Sequence, residues 1–123
     1  MFELEISRVV ACAHQLRGYD GACCQLHGHN YKITVVLRAA ELDSIGIAVD
    51  FKRLKAVADE LLEQYDHHFL NDLPEYQKVN PTSENMARTL YRQLAERLND
   101  GNVKVTAVKV AESDSSCATY FEE

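Results

Sequence analysis

The sequence has no apolar run near the roughly 18 residues that a membrane-spanning helix requires. It also has no basic segment followed by an apolar block near residue 1, so we expect no signal peptide. Basic residues are in the minority, since 13 Lys and Arg stand against 19 Asp and Glu and the formal net charge is −6. That balance disfavours general binding to a nucleic-acid backbone. We therefore expect neither a membrane nor a nucleic acid as a partner.

Cysteines with the Cys-x-x-Cys spacing are also missing. The four cysteines are Cys12, Cys23, Cys24 and Cys117, two of them adjacent. A chain of 123 residues can bury one core and form a single domain over 1–123, so it does not need disulfides to fold. We predict four free thiols in a reducing cytoplasm.

Hydrophobic periodicity predicts four strands and two helices. Alternating apolar residues predict strands at about 2–14, 28–39, 103–111 and 117–121, with a short further strand possible at 47–49. Apolar residues three and four apart predict helices from about 51 to 65 and from about 82 or 83 to 98. The order ββααββ predicts an α+β fold, an antiparallel sheet with helices layered on one face.

Local signals mark the start of each helix and one long irregular segment. Asp50 is placed to cap the first helix, and Thr82 or Ser83 to cap the second. Residues 66–81 show no helical period, and a stretch of that length in a small domain is often functional.

Three histidines are the first candidate site. His27 and His29 flank Gly28 at the start of the second predicted strand, so both rings point to one face. His14 ends the first strand, and pairing of the two strands can bring all three rings together. Three neutral imidazoles around an open fourth position describe a catalytic zinc site. Short His-x-His pairs also occur by chance, so ordinary hydrogen-bonded histidines remain an alternative.

Cys23 lies four residues before His27. A thiol near a metal or a cation has a lowered pKa and can act as a base or nucleophile. The alternative is a buried, inert cysteine. The residue pattern by itself does not separate Cys23 from its neighbour Cys24.

Carboxylates supply two further candidates. Asp66 precedes His67, and a carboxylate beside an imidazole suits a proton shuttle; the alternative is a polar segment interacting with the helix C-terminus. Glu112 ends a strand, where it can accept two parallel hydrogen bonds from a planar amidine-like edge. The alternative for Glu112 is a solvated side chain.

Six separated segments together resemble the 6-pyruvoyl-tetrahydropterin synthase family. The resemblance covers nearly the whole chain and points to the bacterial branch, the 6-carboxy-tetrahydropterin synthases of the queuosine (7-deazaguanine) pathway. The segments are Ala13-His14, Cys23-x-x-x-His27-Gly28-His29-Asn30-Tyr31, Gly46-Ile47-Ala48-Val49-Asp50-Phe51, Asp66-His67-His68-Phe69-Leu70-Asn71, Asn80-Pro81-Thr82-Ser83-Glu84-Asn85, and Val108-x-Val110-x-Glu112 with Ala118-x-Tyr120.

The resemblance implies the chemistry of the site. It implies zinc on His14, His27 and His29, and Cys23 as the catalytic thiol, because the cysteine of this branch stands four residues before the first histidine of the triplet. Cys24 departs from the pattern of the branch.

The resemblance also implies that Asp66 and His67 form a proton relay and that Glu112 anchors the pterin. The implied enzyme is a lyase that converts 7,8-dihydroneopterin triphosphate to 6-carboxy-5,6,7,8-tetrahydropterin, acetaldehyde and triphosphate. Two alternatives are a 6-pyruvoyl-tetrahydropterin synthase and a zinc-bearing pterin-binding module without turnover.

The implied architecture is the tunnelling fold, a four-stranded antiparallel sheet with two helices on one side. In the family, three such sheets join into a barrel and two trimers stack into a hexamer, with the sites at subunit interfaces. We therefore expect a homohexamer.

Overall fold

A computed structural model describes residues 1–18 and 25–123. Its strands are β1 (Phe2–His14), β2 (His27–Ala39), β3 (Val103–Ser113) and β4 (Ser116–Tyr120). Its α-helices are α1 (Phe51–Leu62) and α2 (Ser83–Leu98), and two short 3-10 helices, Leu70–Asp72 and Pro74–Tyr76, lie between them. The strands form one antiparallel sheet in the order β1-β2-β3-β4. The predicted α+β fold is confirmed.

One face of the sheet packs against both helices. The alternating β2 residues Tyr31, Ile33, Val35 and Leu37 are all buried, as the alternation predicted. They share one core with the apolar stripes of the two helices, which include Leu54, Ala58 and Leu62 of α1 and Met86, Leu90 and Leu94 of α2. Burial of these side chains supplies most of the driving force for folding.

The opposite face of β2 is mixed. Lys32 and Arg38 are exposed, whereas Thr34 and Val36 are only 8% and 6% exposed. This face of β2 is therefore only partly exposed to solvent.

Both predicted helix caps are confirmed. The Asp50 carboxylate accepts a hydrogen bond of 2.9 Å from the Lys52 N–H, and the Thr82 hydroxyl accepts one of 3.1 Å from the Asn85 N–H. Each bond satisfies a donor that the first turn of a helix leaves without a partner in the helix.

Helix α1 ends earlier than the predicted residue 65. The N–H groups of Tyr65 and Asp66 both donate to the carbonyl of Leu62, which closes the helix in a tight turn. His67 follows with a φ of 60°, in the left-handed region that non-glycine residues rarely adopt.

The predicted strand at 47–49 is wrong. The Asp43 carboxylate accepts hydrogen bonds from the N–H groups of Ile45 and Ile47, and the Asp43 N–H donates to the Ile47 carbonyl. The loop thus satisfies its backbone groups internally, by the side-chain turn that aspartate favours. None of the helices in the described ranges combines the length and apolar character needed to span a bilayer.

Candidate active site

The three candidate histidines meet at one end of the β1–β2 pair. The unbroken register places His14 opposite His27 and Cys12 opposite His29. The ring centroids of His14 and His27 are 4.4 Å apart, and those of His27 and His29 are 4.8 Å apart. One ligand nitrogen from each of the three rings lies within 4.8 Å of the other two. The three rings therefore share one face, as the strand period predicted.

Backbone carbonyls set the tautomer of two of these rings. Nδ1 of His14 is 2.7 Å from the Pro81 carbonyl, and Nδ1 of His27 is 2.8 Å from the Gln25 carbonyl. A carbonyl only accepts, so each Nδ1 carries the proton and each neutral ring has its lone pair on Nε2.

These two Nε2 atoms are 2.8 Å apart. Two lone pairs at that distance repel one another, whereas a cation between them is attracted to both. Metal-binding histidines commonly donate their other ring N–H to a carbonyl in this way. The residues present therefore fit a metal ion held by imidazole nitrogens.

Burial prepares His14 for that role. Desolvation lowers the pKa of His14 below its usual 6.5, against an opposing effect of the Pro81 carbonyl, and the neighbouring His27 and His29 lower it further. A lowered pKa keeps the imidazole neutral near pH 7, and metals bind the neutral form.

A cavity of about 710 Å³ opens beside the three histidines. Its wall includes Glu112 at the end of β3, whose Oε2 lies 4.0 Å from Nε2 of His29. The cavity thus combines three convergent imidazoles with a carboxylate, the usual pattern of a ligand site with a few polar groups placed around an open space.

The other wall of this cavity is the start of α2. Thr82, Ser83 and Glu84 line it, together with Cys117 of β4. The sequence marked Thr82 and Ser83 only as possible caps, and it gave no signal for the Pro81 carbonyl, because a main-chain group leaves no trace in residue type.

Asp66 and His67 lie together, and His67 lines a second cavity. The Asp66 Oδ2 is 3.1 Å from the His67 Nδ1, and the Asp66 Oδ1 accepts a hydrogen bond of 2.9 Å from the Ala11 N–H. That backbone bond and His67 hold the pKa of Asp66 below its usual 3.8. The Asp66 N–H also donates to the Leu62 carbonyl at the end of α1, so the pair lies at the helix terminus and the alternative of a segment interacting with that terminus stays open.

This second cavity, about 480 Å³, has its own lining, from Ala11–Ala13, Gly28–Asn30 and His67–Phe69. The side chains of Ala11 and Ala13 alternate with that of His14 along β1, so they lie on the opposite face of the sheet. His29 lines both cavities. Within one chain, His67 of the predicted relay and the histidine cluster therefore line different cavities that meet at His29.

The cysteines divide into three groups. Cys23 and Cys24 fall in 19–24, outside the described residues, so the predicted catalytic thiol has no structural account. Cys12 is buried, and desolvation, with the nearby Asp66, raises its pKa to about 12, which makes it an inert thiol. Cys117 is exposed, and both Cys12 and Cys117 are free, as predicted.

The fold and the site define a tunnelling-fold protein with a candidate metal centre. The family model described as 6-pyruvoyl tetrahydropterin synthase matches residues 3–123, and the chain belongs to this family of enzymes.

Relatives and a solved structure agree with that assignment. The chain is similar to the 6-carboxy-5,6,7,8-tetrahydropterin synthase of Synechocystis sp., with 35% identity over 89% of this chain and 84% of the relative. It is 32% identical to the Bacillus subtilis protein of the same name, over 97% of this chain and 84% of the relative. The structure of Caenorhabditis elegans 6-pyruvoyl tetrahydropterin synthase matches with a TM-score of 0.86 and 26% identity, over 99% of this chain and 96% of that one. The predicted family and fold are confirmed.

Proposed function

We propose that this protein is a zinc-dependent 6-carboxy-tetrahydropterin synthase of queuosine biosynthesis, acting in the cytoplasm. It converts 7,8-dihydroneopterin triphosphate, with one water, to 6-carboxy-5,6,7,8-tetrahydropterin, acetaldehyde and triphosphate. The observation that carries the proposal is the cavity in which three imidazoles and Glu112 face the same space. Relatives that bear this enzyme's name support the choice of reaction.

Zinc is the metal that this donor set favours in an enzyme. Three neutral imidazoles with a fourth position open to substrate are a common catalytic arrangement for zinc. His14, His27 and His29 would hold the ion, and it would supply Lewis-acid polarisation of the hydroxyls on the substrate side chain.

Glu112 is proposed to orient the pterin. Its carboxylate accepts hydrogen bonds from the 2-amino group and the ring N–H of the pterin, a planar pair of donors that a carboxylate matches. The 4.0 Å separation from His29 puts that anchor next to the histidine cluster, so one bound substrate spans both.

Proton transfer is assigned to the remaining candidates. The Cys23 thiolate removes a proton from a side-chain carbon, and the Asp66–His67 pair, whose side chains are 3.1 Å apart, moves protons during ring reduction and carbon–carbon cleavage. No redox cofactor is required, because the electrons move within the substrate.

The separate cavities of one chain are proposed to meet between copies. In the homohexamer that the family resemblance implies, the sites lie at subunit interfaces. An interface of that kind can set the Asp66–His67 pair of one copy against the histidine cluster of another.

Mass spectrometry of the products from dihydroneopterin triphosphate tests the proposal. We expect 6-carboxy-tetrahydropterin and acetaldehyde. A 6-pyruvoyl product would establish the rival synthase activity, and binding of the pterin without turnover would establish a binding module.

The same assay separates the two adjacent thiols. Cys23→Ala is expected to abolish turnover while zinc and substrate still bind, and Cys24→Ala is expected to keep most activity. The opposite result would transfer the catalytic role to Cys24.

Metal analysis of the purified protein tests the ligands. We expect one zinc per chain, lost in a His27→Ala, His29→Ala double variant. Full retention of zinc in that variant would exclude the proposed ligand set.

A further inference from the structure

After His14, the backbone groups of Gln15 and Arg17 form paired hydrogen bonds like those between two β-strands, but with the side chains of two asparagines. The Gln15 N–H donates to Asn71 Oδ1 at 2.9 Å, and Asn71 Nδ2 donates to the Gln15 carbonyl at 2.8 Å. The same two bonds join Arg17 and Asn80, at 2.9 and 2.8 Å. A primary amide carries both a donor and an acceptor, so each asparagine takes the place of a peptide group in a β-ladder.

The Asn80 pair closes a ring around the metal histidine. Pro81 follows Asn80 directly, and its carbonyl is the acceptor 2.7 Å from Nδ1 of His14. The ring runs from the His14 side chain to Pro81 and Asn80, through the Asn80 side chain to Arg17, and back along the backbone to His14. The strand end and residues 80–81 are thus held together at two points.

The ring is also anchored to α2. Asn85 Nδ2 donates to the Asn80 carbonyl at 2.9 Å, and the Asn85 N–H is the donor to the Thr82 cap. The Pro81 carbonyl therefore has a fixed place relative to both the helix and the end of β1.

We propose that Asn80, with Asn71 as a second clamp, is a positioning residue for the metal site. The two amides keep the Pro81 carbonyl on Nδ1 of His14, and the lone pair of Nε2 then points to the metal position. Without the Asn80 clamp, the Arg17 side chain still bonds to the carbonyls of residues 76 and 79, but the backbone of Arg17 is no longer fixed against residues 80–81, and the His14 ring can rotate or change tautomer. The inference rests on the proposed metal site and assigns Asn80 and Asn71 no direct contact with metal or substrate.

The test is the zinc affinity of Asn80→Ala, measured by competition with a chelator, beside urea unfolding of the metal-free protein. Loss of the group bonded to a metal-binding histidine typically costs 10–100-fold in metal affinity; Asn80→Ala frees the Pro81 carbonyl to move without removing it, so we expect zinc binding to weaken by about tenfold, the lower end of that range. Nitrogen NMR of the metal-free variant should show that His14 has lost its single Nδ1–H tautomer.

Asn102→Ala is the matched control. The Asn102 Oδ1 accepts hydrogen bonds from the N–H groups of Ala40 and Glu41 at 3.0 and 2.8 Å, and its Nδ2 donates to the Glu41 carbonyl at 3.0 Å. These bonds are of the same kind, but they lie at the other end of β2. We expect Asn102→Ala to lower stability about as much as Asn80→Ala and to leave zinc affinity and the His14 tautomer unchanged.

Unchanged zinc affinity in a destabilised Asn80→Ala protein would overturn the proposal, since a clamp that only supports the fold predicts that result.

If Asn80→Ala does not fold, Asn71→Ala is the second test, because it removes the clamp on Gln15, the residue next to His14. We expect a smaller but measurable loss of zinc affinity in Asn71→Ala, and wild-type affinity there would overturn the proposal. Wild-type protein that binds no zinc would instead refute the metal site itself, and this proposal with it.

Discussion

At the scale of single residues, main-chain carbonyls decide what the histidines can do. The carbonyls of Pro81 and Gln25 hold the protons of His14 and His27 on Nδ1, so both Nε2 lone pairs converge. In a ring without such an acceptor, no hydrogen bond of this kind selects one tautomer over the other.

In the metal-free protein, stability should fall as the pH drops below 6.5. Burial lowers the pKa of His14 below 6.5, so the unfolded chain takes up a proton at higher pH than the folded protein does. Stability is therefore lost from 6.5 down through the folded-state pKa of His14. The lowered pKa values of Asp66 and Asp100 change the stability only below pH 3.8, the usual pKa of an aspartate, and so do not contribute in this range. Urea unfolding between about pH 7.5 and about pH 5.5 measures this, and His14→Gln should flatten the dependence. An equally steep dependence in His14→Gln would assign it to other groups.

Glu112→Gln should weaken pterin binding by at least about tenfold. Charge-assisted hydrogen bonds contribute about 1.5–3 kcal/mol each, and 1.4 kcal/mol corresponds to a factor of about ten in affinity. Glutamine keeps the shape but sets a donor against a donor of the pterin. Calorimetric titration with a pterin measures the change, with Glu3→Gln as control, because Glu3 is an exposed partner of Arg38 outside the cavity. Equal affinity in Glu112→Gln would make Glu112 a solvated residue and place the pterin elsewhere.

At the scale of elements, the two helices have equivalent caps in different surroundings. Asp50 begins α1 outside both candidate cavities, whereas Thr82 begins α2 in the wall of the histidine cavity. The same local interaction therefore supports the fold in one place and the site in the other.

Asp50→Ala and Thr82→Ala should each cost about 1 kcal/mol of unfolding free energy, the usual contribution of an N-cap. Only Thr82→Ala should also weaken pterin binding, because it loosens the turn that lines the cavity. Thr82→Ser keeps a hydroxyl acceptor and should restore most of the stability. Urea unfolding and pterin titration of the three variants give both quantities, and weakened pterin binding in Asp50→Ala would show that the effect is not local to α2.

At the scale of the whole molecule, the proposed mechanism uses groups that line two different cavities of the chain. The histidine cluster and Glu112 line one cavity, whereas His67 lines a second cavity that shares His29 with the first. Under the mechanism proposed, a second copy of the chain supplies the Asp66–His67 pair to each histidine cluster.

Light scattering should therefore give a particle of six times the 13.9 kDa chain. Glu112→Gln protein and His67→Ala protein are assayed at a substrate concentration at which neither turns over, and mixing them, after dissociation and reassembly, should restore part of the activity. Each intact site would then take its anchor from one variant and its relay from the other. A monomer, or a mixture that stays inactive, would contradict shared sites.

The sequence by itself determined the four strands, the two helices and the shared face of His27 and His29, but not the end of α1 or the loop at 47–49. Strand alternation, helical spacing and the caps Asp50 and Thr82 are local properties, set by backbone geometry within a few residues. The α+β arrangement followed from their order, and the family resemblance named the remaining candidates, of which Cys23, Asp66, His67 and Glu112 keep their roles as proposals.

Only the tertiary structure decided how distant segments meet. The amides of Asn71 and Asn80 pair with backbone 56 and 63 residues away along the chain, and the Pro81 carbonyl reaches His14 across 67 residues. Residue types carry no signal for such main-chain contacts. The irregular pattern of 66–81 predicted a functional segment without showing that it would line the edge of β1, because a hydrogen bond to a backbone group depends on where the fold places that group.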